Sequence, residues 1–413
     1  MPRCLMLAPF PLAHPRHGGQ IRAASLAQGL ARSGWQIDTV GLYHADFFAP
    51  DERGPLDIVI DDPALARHVS GDMLFGDLHV ARAAAGDRAV VNQLASLLRR
   101  LQPDVVQVEH PWGWLVLQAA LPSGQRPKIV YSSHNIERHA RLPLLEFNLN
   151  LGHPGTDQLL EATSQLETDF ARAADLTISI SDIEGALIAR ETGRAVAYVP
   201  PTSDLAEGNH PAHATYRDAA HDSECRYAAL MGSAYWPNVE GFFATFPDGL
   251  GFLAQDEQLW AAGSLGPALR SDARYRDYQS VNDSRLRTWG YLPDTDKASF
   301  FAGACCVIVP VHVGAGAKQK TADALASGLP VITTSHALEG YGPLIGDALG
   351  QGVYVADTPS AFRGFVRRAL REGLRACPSA VRDRVSLARM AETLAPLYAG
   401  LPRGLPQAKI TLV

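Results

Sequence analysis

The chain lacks the marks of a disulfide-stapled, membrane-spanning or nucleic-acid-binding protein. Its five cysteines, Cys4, Cys225, Cys305, Cys306 and Cys377, are odd in number and never form a CxxC pair. A disulfide framework and a thiolate zinc site are therefore unsupported, and a reducing compartment such as the cytoplasm suits the free thiols best. No run of about 18 apolar residues occurs, so no segment is long enough to span a bilayer. Positive charge is not in excess: the formal net charge of −6 argues against the basic face of a nucleic-acid binder. The opening MPRCLMLAPFPL has an apolar run too short and too broken by Pro9 and Pro11 for a signal peptide. It reads as a first buried strand.

What is present is apolar residue, at 46% of a 413-residue chain, enough for two cores. Short apolar runs alternate with helical patterns. Strands are predicted at 4–10, 36–43, 103–109, 128–134, 175–181 and 195–200, with helices at 21–34, 92–101, 158–174 and 182–192. Residues 205–225 are polar and aperiodic and read as a linker; their His210, His213 and His221 sit in no element that would fix a metal site. The pattern then restarts with strands at 227–233, 257–264, 285–292, 305–311, 329–335 and 352–356. Alternation of this kind predicts two α/β domains with parallel sheets and a ligand cleft at the carboxyl ends of the strands. The expected organisation is an N-terminal domain over 1–204, a linker over 205–225 and a C-terminal domain over 226–379. A last helix and tail over 380–413 would cross back to the first domain.

The densest chemistry lies at 305–334, CCVIVPVHVGAGAKQKTADALASGLPVITT. A buried strand leads into a loop with Gly314, Ala315 and Gly316, and a helix is predicted from about Lys318 to Gly328, with Pro330 preventing its continuation. Glycines at a strand-to-helix turn let backbone N–H groups approach an anion, and the helix N-terminus favours negative charge. Lys318 and Lys320 add two cations there, so a diphosphate suits the site. Asp323, one turn on, is placed to accept hydrogen bonds from ribose hydroxyls. The plainer alternative is a surface lysine pair with an i,i+3 ion pair.

This segment resembles the carboxyl-terminal motif of family 4 glycosyltransferases of the GT-B fold, Gly-x-Gly-x-Arg-x-Lys-x-x-Glu-Ala-x-Ala-x-Gly-x-Pro-Val. Gly314, Gly316, Lys318, Lys320, Asp323, Ala324, Ala326, Gly328, Pro330 and Val331 fill it in order. Lys318 replaces an arginine and loses its two-pronged donor; Asp323 replaces a glutamate and is one methylene shorter. The further glutamate of many relatives, eight residues before the second, is Ala315 here. The resemblance then assigns the donor sugar to backbone N–H groups of the glycine loop. MGSAYWPNVEGF (231–242) resembles the opening of the family's second domain, and WGYLPD (289–294), with Tyr291, the segment that meets the nucleotide base. ADLTISISD (174–182) and YVPPTSD (198–204) resemble landmarks closing the first domain, although Pro201 and Thr202 replace the usual Asn-Gly.

In the first domain, HGGQIR (17–22) follows the first strand, and the resemblance places Gly18, Gly19 and Arg22 near the transferring phosphate and sugar. It matches His134, at a strand end, with a histidine that touches the donor sugar. Glu109, His110 and Trp112, at another strand end, are acceptor-side candidates: the ring could stack on a sugar and Glu109 or His110 polarise a hydroxyl. Trp114 could stack in the same way, although both tryptophans could equally pack in the core. Glu137 and Arg138 are further acceptor-side candidates. Arg363, Arg367, Arg368, Arg371 and Arg375 form a basic run, either a solvated helix face or a contact for an anionic membrane surface. Asp294-Thr295-Asp296 has the DxD form of a metal site but reads better as a helix start, Asp294 capping and Asp296 in the first turn.

The resemblance implies two Rossmann-like α/β/α domains facing each other across a cleft, the donor mainly on the second and the acceptor mainly on the first. It implies transfer of a sugar from a UDP-, GDP- or dTDP-linked donor to a glycan or lipid-linked hydroxyl, with retention, no cofactor and no metal. The leaving diphosphate is then a candidate acceptor of the proton. Two rivals share the fold: a nucleotide-sugar epimerase, which needs acid/base carboxylates beside the sugar, and a sugar-nucleotide-binding scaffold without activity.

Overall fold

The computed structural model describes residues 1–66, 74–122, 124, 126–147, 154–207, 216, 225–292 and 294–401. They form two compact units, Met1–Val199 with Met390–Val413, and Pro200–Arg389. Of the stretch 205–225, only 205–207, 216 and 225 are described, so His210, His213 and His221 lie outside the described residues.

The first unit is built on seven parallel strands: β1 (Arg3–Ala8), β2 (Gln36–His44), β3 (Ile58–Ile60), β4 (Val105–Glu109), β5 (Lys128–Ser133), β6 (Leu176–Ser179) and β7 (Val196–Tyr198). Their spatial order is β3-β2-β1-β4-β5-β6-β7. Central strands covered by helices on both faces read as continuous apolar runs, and every residue of β4 is buried. The helix Arg88–Leu101 shows the complementary pattern. Val90, Leu94, Leu97 and Leu98 recur at helical spacing and are buried, Asp87 caps the start, and Gln102 ends the helix in a left-handed conformation. Trp114 stacks on Phe170 at 4.7 Å between ring centroids within this core. The helix Leu387–Ala399 also belongs here from Met390 on: Met390 and Leu394 close on Gly29, and the Tyr398 hydroxyl donates to Gln107.

The second unit holds β8 (Arg226–Met231), β9 (Glu257–Ala262), β10 (Leu286–Trp289), β11 (Cys306–Val309), β12 (Val331–Thr333) and β13 (Val353–Val355), also all parallel. Their order is β10-β9-β8-β11-β12-β13. The chain between Pro359 and Arg384 is helical in two pieces, the first carrying Arg363, Arg367, Arg368 and Arg371. It divides into Pro359–Arg371 and Ser379–Arg384, because Gly373 takes φ +80° and Pro378 cannot continue a helix. β3 and the helix Gly113–Ala120 escape a periodicity reading, one being three residues long and the other apolar nearly all round. Among the described residues no helix is long and apolar enough to cross a membrane.

Candidate active site

In each sheet the chain winds outward in two directions from a central pair, β1 and β4 in the first unit, β8 and β11 in the second. The loops leaving the carboxyl ends of such a pair diverge, and ligands of open α/β sheets bind there.

In the second unit those loops lead to the helices Trp236–Thr245 and Gln319–Ala326. A Cβ on Gly241 would stand 2.0 Å from the Pro310 carbonyl oxygen, so only glycine lets the first of these helices press against the end of β11. Asn238 thereby reaches the second helix, where the Lys320 ammonium donates to its Oδ1. Gly314 and Gly316 take φ of +111° and +68°, backbone that other residues rarely adopt. Lys318 occupies the N-cap position without a side-chain cap. Its ammonium lies 3.5 Å from the Gly314 carbonyl oxygen and 3.6 Å from Glu339, and its own carbonyl accepts from the Tyr341 hydroxyl at 2.8 Å. Burial, reinforced by the Lys318 charge, pushes Lys320 down to about 7.

Burial raises the Asp323 carboxyl, opposed by the Lys297 charge and by Ser203 and Gln319 close by. Lys320 and Asp323 do not form the i,i+3 ion pair of the plainer alternative; no ion pair holds Asp323 among the described residues. Ala315 lies between the two left-handed glycines and brings no carboxylate to the loop. Tyr291 stands 60% exposed just past the edge strand β10. Asp296 accepts from the Tyr216 hydroxyl at 3.3 Å in the helix Asp294–Ala302, so Asp294 opens that helix as a helical residue; the side chains of Asp294 and Thr295 lie outside the described residues.

In the first unit the helix begins at Gly18, three residues before the predicted start, because His17 and Gln20 form a reciprocal capping box. Gly18 and Gly19 thus present first-turn N–H groups, and a Cβ on Gly19 would stand 3.2 Å from the Phe10 ring. Arg22 is buried and donates to the Val199 carbonyl. Glu109 is fully buried and accepts from His134 Nε2 at 2.6 Å and from the Gln107 amide. Burial works against its charge, but the His134 and Gln107 hydrogen bonds outweigh it and hold the carboxyl below the usual range. Burial and the neighbouring His110 ring push His134 down to about 4. At neutral pH His134 is therefore a neutral imidazole whose Nε2–H points at Glu109, leaving Nδ1 as an acceptor.

Beside it, 4.1 Å between ring centroids, lies His110, which takes φ +63° directly after β4. Its Nδ1 is 2.7 Å from Glu137 Oε1, and Glu137 is paired in turn with Arg141. Burial opposes the Glu137 charge, yet Arg141 and His110 hold that carboxyl down to about 2. The Arg141 guanidinium lies over the Trp112 ring at 4.8 Å. Trp112 and Trp114 are both buried, so packing is the role the structure shows, with Trp112 also walling a small cavity beside Asp77 and Tyr43. Arg138 pairs with Glu161 at 3.6 Å on the solvent side, away from this network and of little energetic weight.

Sequence reasoning missed Gln107, Arg141 and Asn238. Only the Asn238 stretch carried a signal, as part of Pro-Asn-Val, and nothing in it gave the residue a role. The arginine run is largely tied down: Arg363 to Asp248 at 3.0 Å, Arg371 to Glu257 at 2.6 Å and Arg375 to Gln351. No group of three His, Cys, Asp or Glu side chains is placed to hold a metal ion among the described residues.

Two family profiles match the sequence. "Glycosyltransferase Family 4" covers residues 16–207 and "Glycosyl transferases group 1" covers residues 229–372. Among curated proteins none matches. Among solved structures, sucrose-phosphate synthase from Thermosynechococcus elongatus is similar with a TM-score of 0.70 at 16% identity, over 97% of this chain and 99% of that one. HepE from Anabaena, solved with UDP and glucose, gives 0.64 at 11% identity over 97% and 100%. A glycosyltransferase from Rickettsia africae gives 0.58 at 11% identity over 97% and 98%.

Proposed function

We propose, for a chain that belongs to the family 4-like glycosyltransferases of the GT-B fold, that it moves a hexosyl group from a nucleotide diphosphate sugar to a hydroxyl acceptor. The observation that carries this reading is Lys320: a half-buried lysine, held at a glycine-loop helix start by Asn238, has no anionic partner among the described residues. A diphosphate there would accept from Lys318, Lys320, the loop N–H groups and the helix N-terminus at once, and the same groups would stabilise the leaving diphosphate as the glycosidic bond breaks. Asp323 would take the ribose and Tyr291 would stand near the base. His134 Nδ1 would accept from a hydroxyl of the transferring sugar, with Gly18, Gly19 and Arg22 supporting that end.

The nucleotide we assign is uridine diphosphate, since HepE is known in complex with UDP and with UDP-glucose. The acceptor is a hydroxyl of a glycan or lipid-linked sugar, reached in the cytoplasm or at the inner face of its membrane, and transfer proceeds with retention. Thermal denaturation with UDP, GDP and dTDP tests the binding half. A nucleotide at a hundred times its Kd should stabilise by about 2.7 kcal/mol, whereas no shift with any of the three would sink the reading.

Proton linkage supplies a sharper check. Lys320 is half neutral near pH 7 in the free protein, and a bound diphosphate favours its charged form. Binding therefore takes up a proton above pH 7, and affinity for UDP should fall roughly five-fold from pH 7 to pH 8 and further beyond. Lys320→Arg should remove the dependence, since a guanidinium stays charged. Calorimetry showing one affinity from pH 6.5 to 9 in the wild type would remove Lys320 from the phosphate site.

Because two lysines and a helix N-terminus already face the diphosphate, a metal ion would be redundant. Transfer in EDTA should run at close to its rate with magnesium. Loss of donor turnover on chelation, restored by added magnesium or manganese, would contradict this.

A further inference from the structure

Glu339 sets a carboxylate against one of the two lysines of the glycine loop. Its Oε2 lies 3.6 Å from the Lys318 ammonium, and its Oε1 is 3.1 Å from His336 Nδ1. The Glu339 side chain keeps 46% exposure, and a pair so open to solvent adds little to stability. Its placement is nevertheless built. After β12 the chain makes a single helical turn, His336–Leu338, and Gly340 then takes φ +82° to bring it back. Both flanks of Glu339 are tied to the start of the helix Gln319–Ala326. The Thr321 hydroxyl donates to the Ala337 carbonyl at 2.8 Å, and the Tyr341 hydroxyl donates to the Lys318 carbonyl at 2.8 Å. Thr334, also buried, donates to the Val311 carbonyl and fastens the same segment to the loop after β11. Burial opposes the Glu339 charge, but the His336 hydrogen bond and the Lys318 ammonium hold the carboxyl below its usual range. A fixed negative charge therefore stands at the rim of a site made to attract anions, and every group named belongs to the second unit.

We propose that Glu339 is a charge filter: it favours the diphosphate ester of the sugar donor over the free nucleoside diphosphate that transfer leaves behind. The proposal rests on the diphosphate reading above and sets which form of that ligand the site prefers. Donor and product share the nucleoside and both phosphorus centres and differ at the terminal phosphate. In the donor the sugar esterifies one oxygen, and that phosphate carries a single charge. In the free nucleotide it loses a second proton with a pKa of about 6, so it carries nearly two charges at pH 7.5. A phosphate oxygen hydrogen-bonded to Lys318 would stand within about 6.5 Å of Glu339 Oε2, whatever its direction. At that distance, in a partly exposed site, one further negative charge is disfavoured roughly five- to twenty-fold. The penalty falls more heavily on product than on donor, which hastens product release and limits product inhibition. A carboxylate that only oriented the Lys318 side chain would act with the opposite sign, since its loss would weaken both ligands together.

The test compares the wild-type chain with Glu339→Gln at pH 7.5 and low ionic strength, by calorimetric titration with UDP and with UDP-glucose. Glutamine keeps the size of the side chain and an oxygen that accepts from His336, and removes the charge. Glu339→Ala, which removes the His336 contact as well, is the second variant. Titrations with GDP and GDP-mannose cover a site that selects guanine. In both variants the free nucleotide should bind more tightly than in the wild type. The affinity for UDP relative to UDP-glucose should rise roughly five- to twenty-fold, and UDP should become a correspondingly stronger product inhibitor. A rise of less than three-fold in that ratio, or an equal weakening of both ligands, would overturn the proposal. Wild-type protein that binds neither nucleotide, free or as its sugar ester, would instead remove the diphosphate reading beneath it.

Discussion

Lys320→Ala should lower kcat/KM for sugar transfer by roughly 10²-fold, the usual cost of removing one positioned stabiliser of developing charge. Lys318→Ala should do likewise. The fold should survive both changes. Lys320 is half-buried and its charge is disfavoured there, so its removal relieves a desolvation cost; the melting temperature of Lys320→Ala should equal or exceed that of the wild type. Lys318 lies 3.5 Å from the Gly314 carbonyl oxygen and 3.6 Å from Glu339. A destabilised variant would make a rate loss ambiguous; a stable one would tie it to the diphosphate. Steady-state kinetics decide the matter, and an unchanged kcat/KM in both single variants would contradict the assignment.

Glu109→Ala should have the largest effect on stability, about 2–6 kcal/mol, since two buried donors would each be left without an acceptor at about 1–3 kcal/mol apiece. Glu109 is wholly enclosed and receives two side-chain donors. Its loss would orphan the His134 Nε2–H and the Gln107 amide, while Gln107 still anchors Tyr398 from the last helix. Glu109→Gln should cost less, because volume is preserved. The folded carboxyl titrates below its unfolded value, so its contribution is present above the ordinary glutamate range near about 4.3 and is lost as pH falls through the depressed folded value. Urea unfolding at pH 7 measures the difference. A change below about 1 kcal/mol would mean that Glu109 does not hold His134.

The alternation of strand and helix was legible because each central strand is an apolar run and each amphipathic helix repeats at its own period, as in VVQVE and NQLASLLRRL. The strand-loop-helix turn at 309–330 was legible because glycine and proline there each answer a local backbone demand. Contacts between distant residues were not. Asn238 and Lys320 meet only because Gly241 lets a helix close on β11, and nothing near either residue states it. The pairing of His110 with Glu137 likewise depends on the register of β4 and β5, which brings Glu109 beside Ser132 and the helix start beside His110. The left-handed backbone of His110 was invisible for another reason: histidine tolerates both conformations, so its identity gives no sign. Trp112 read equally as a sugar platform or as core packing; its burial under Arg141 is decided by a residue 29 positions on.

Incubation of the purified protein with UDP-glucose, with and without octyl glucoside, while UDP release and the mass of the acceptor are followed together, tests the central claim most directly. Transfer predicts acceptor-dependent release of UDP and an acceptor heavier by one hexosyl group. Sugar nucleotide recovered intact, or converted to an epimer without UDP release, under conditions where UDP itself binds, would contradict it.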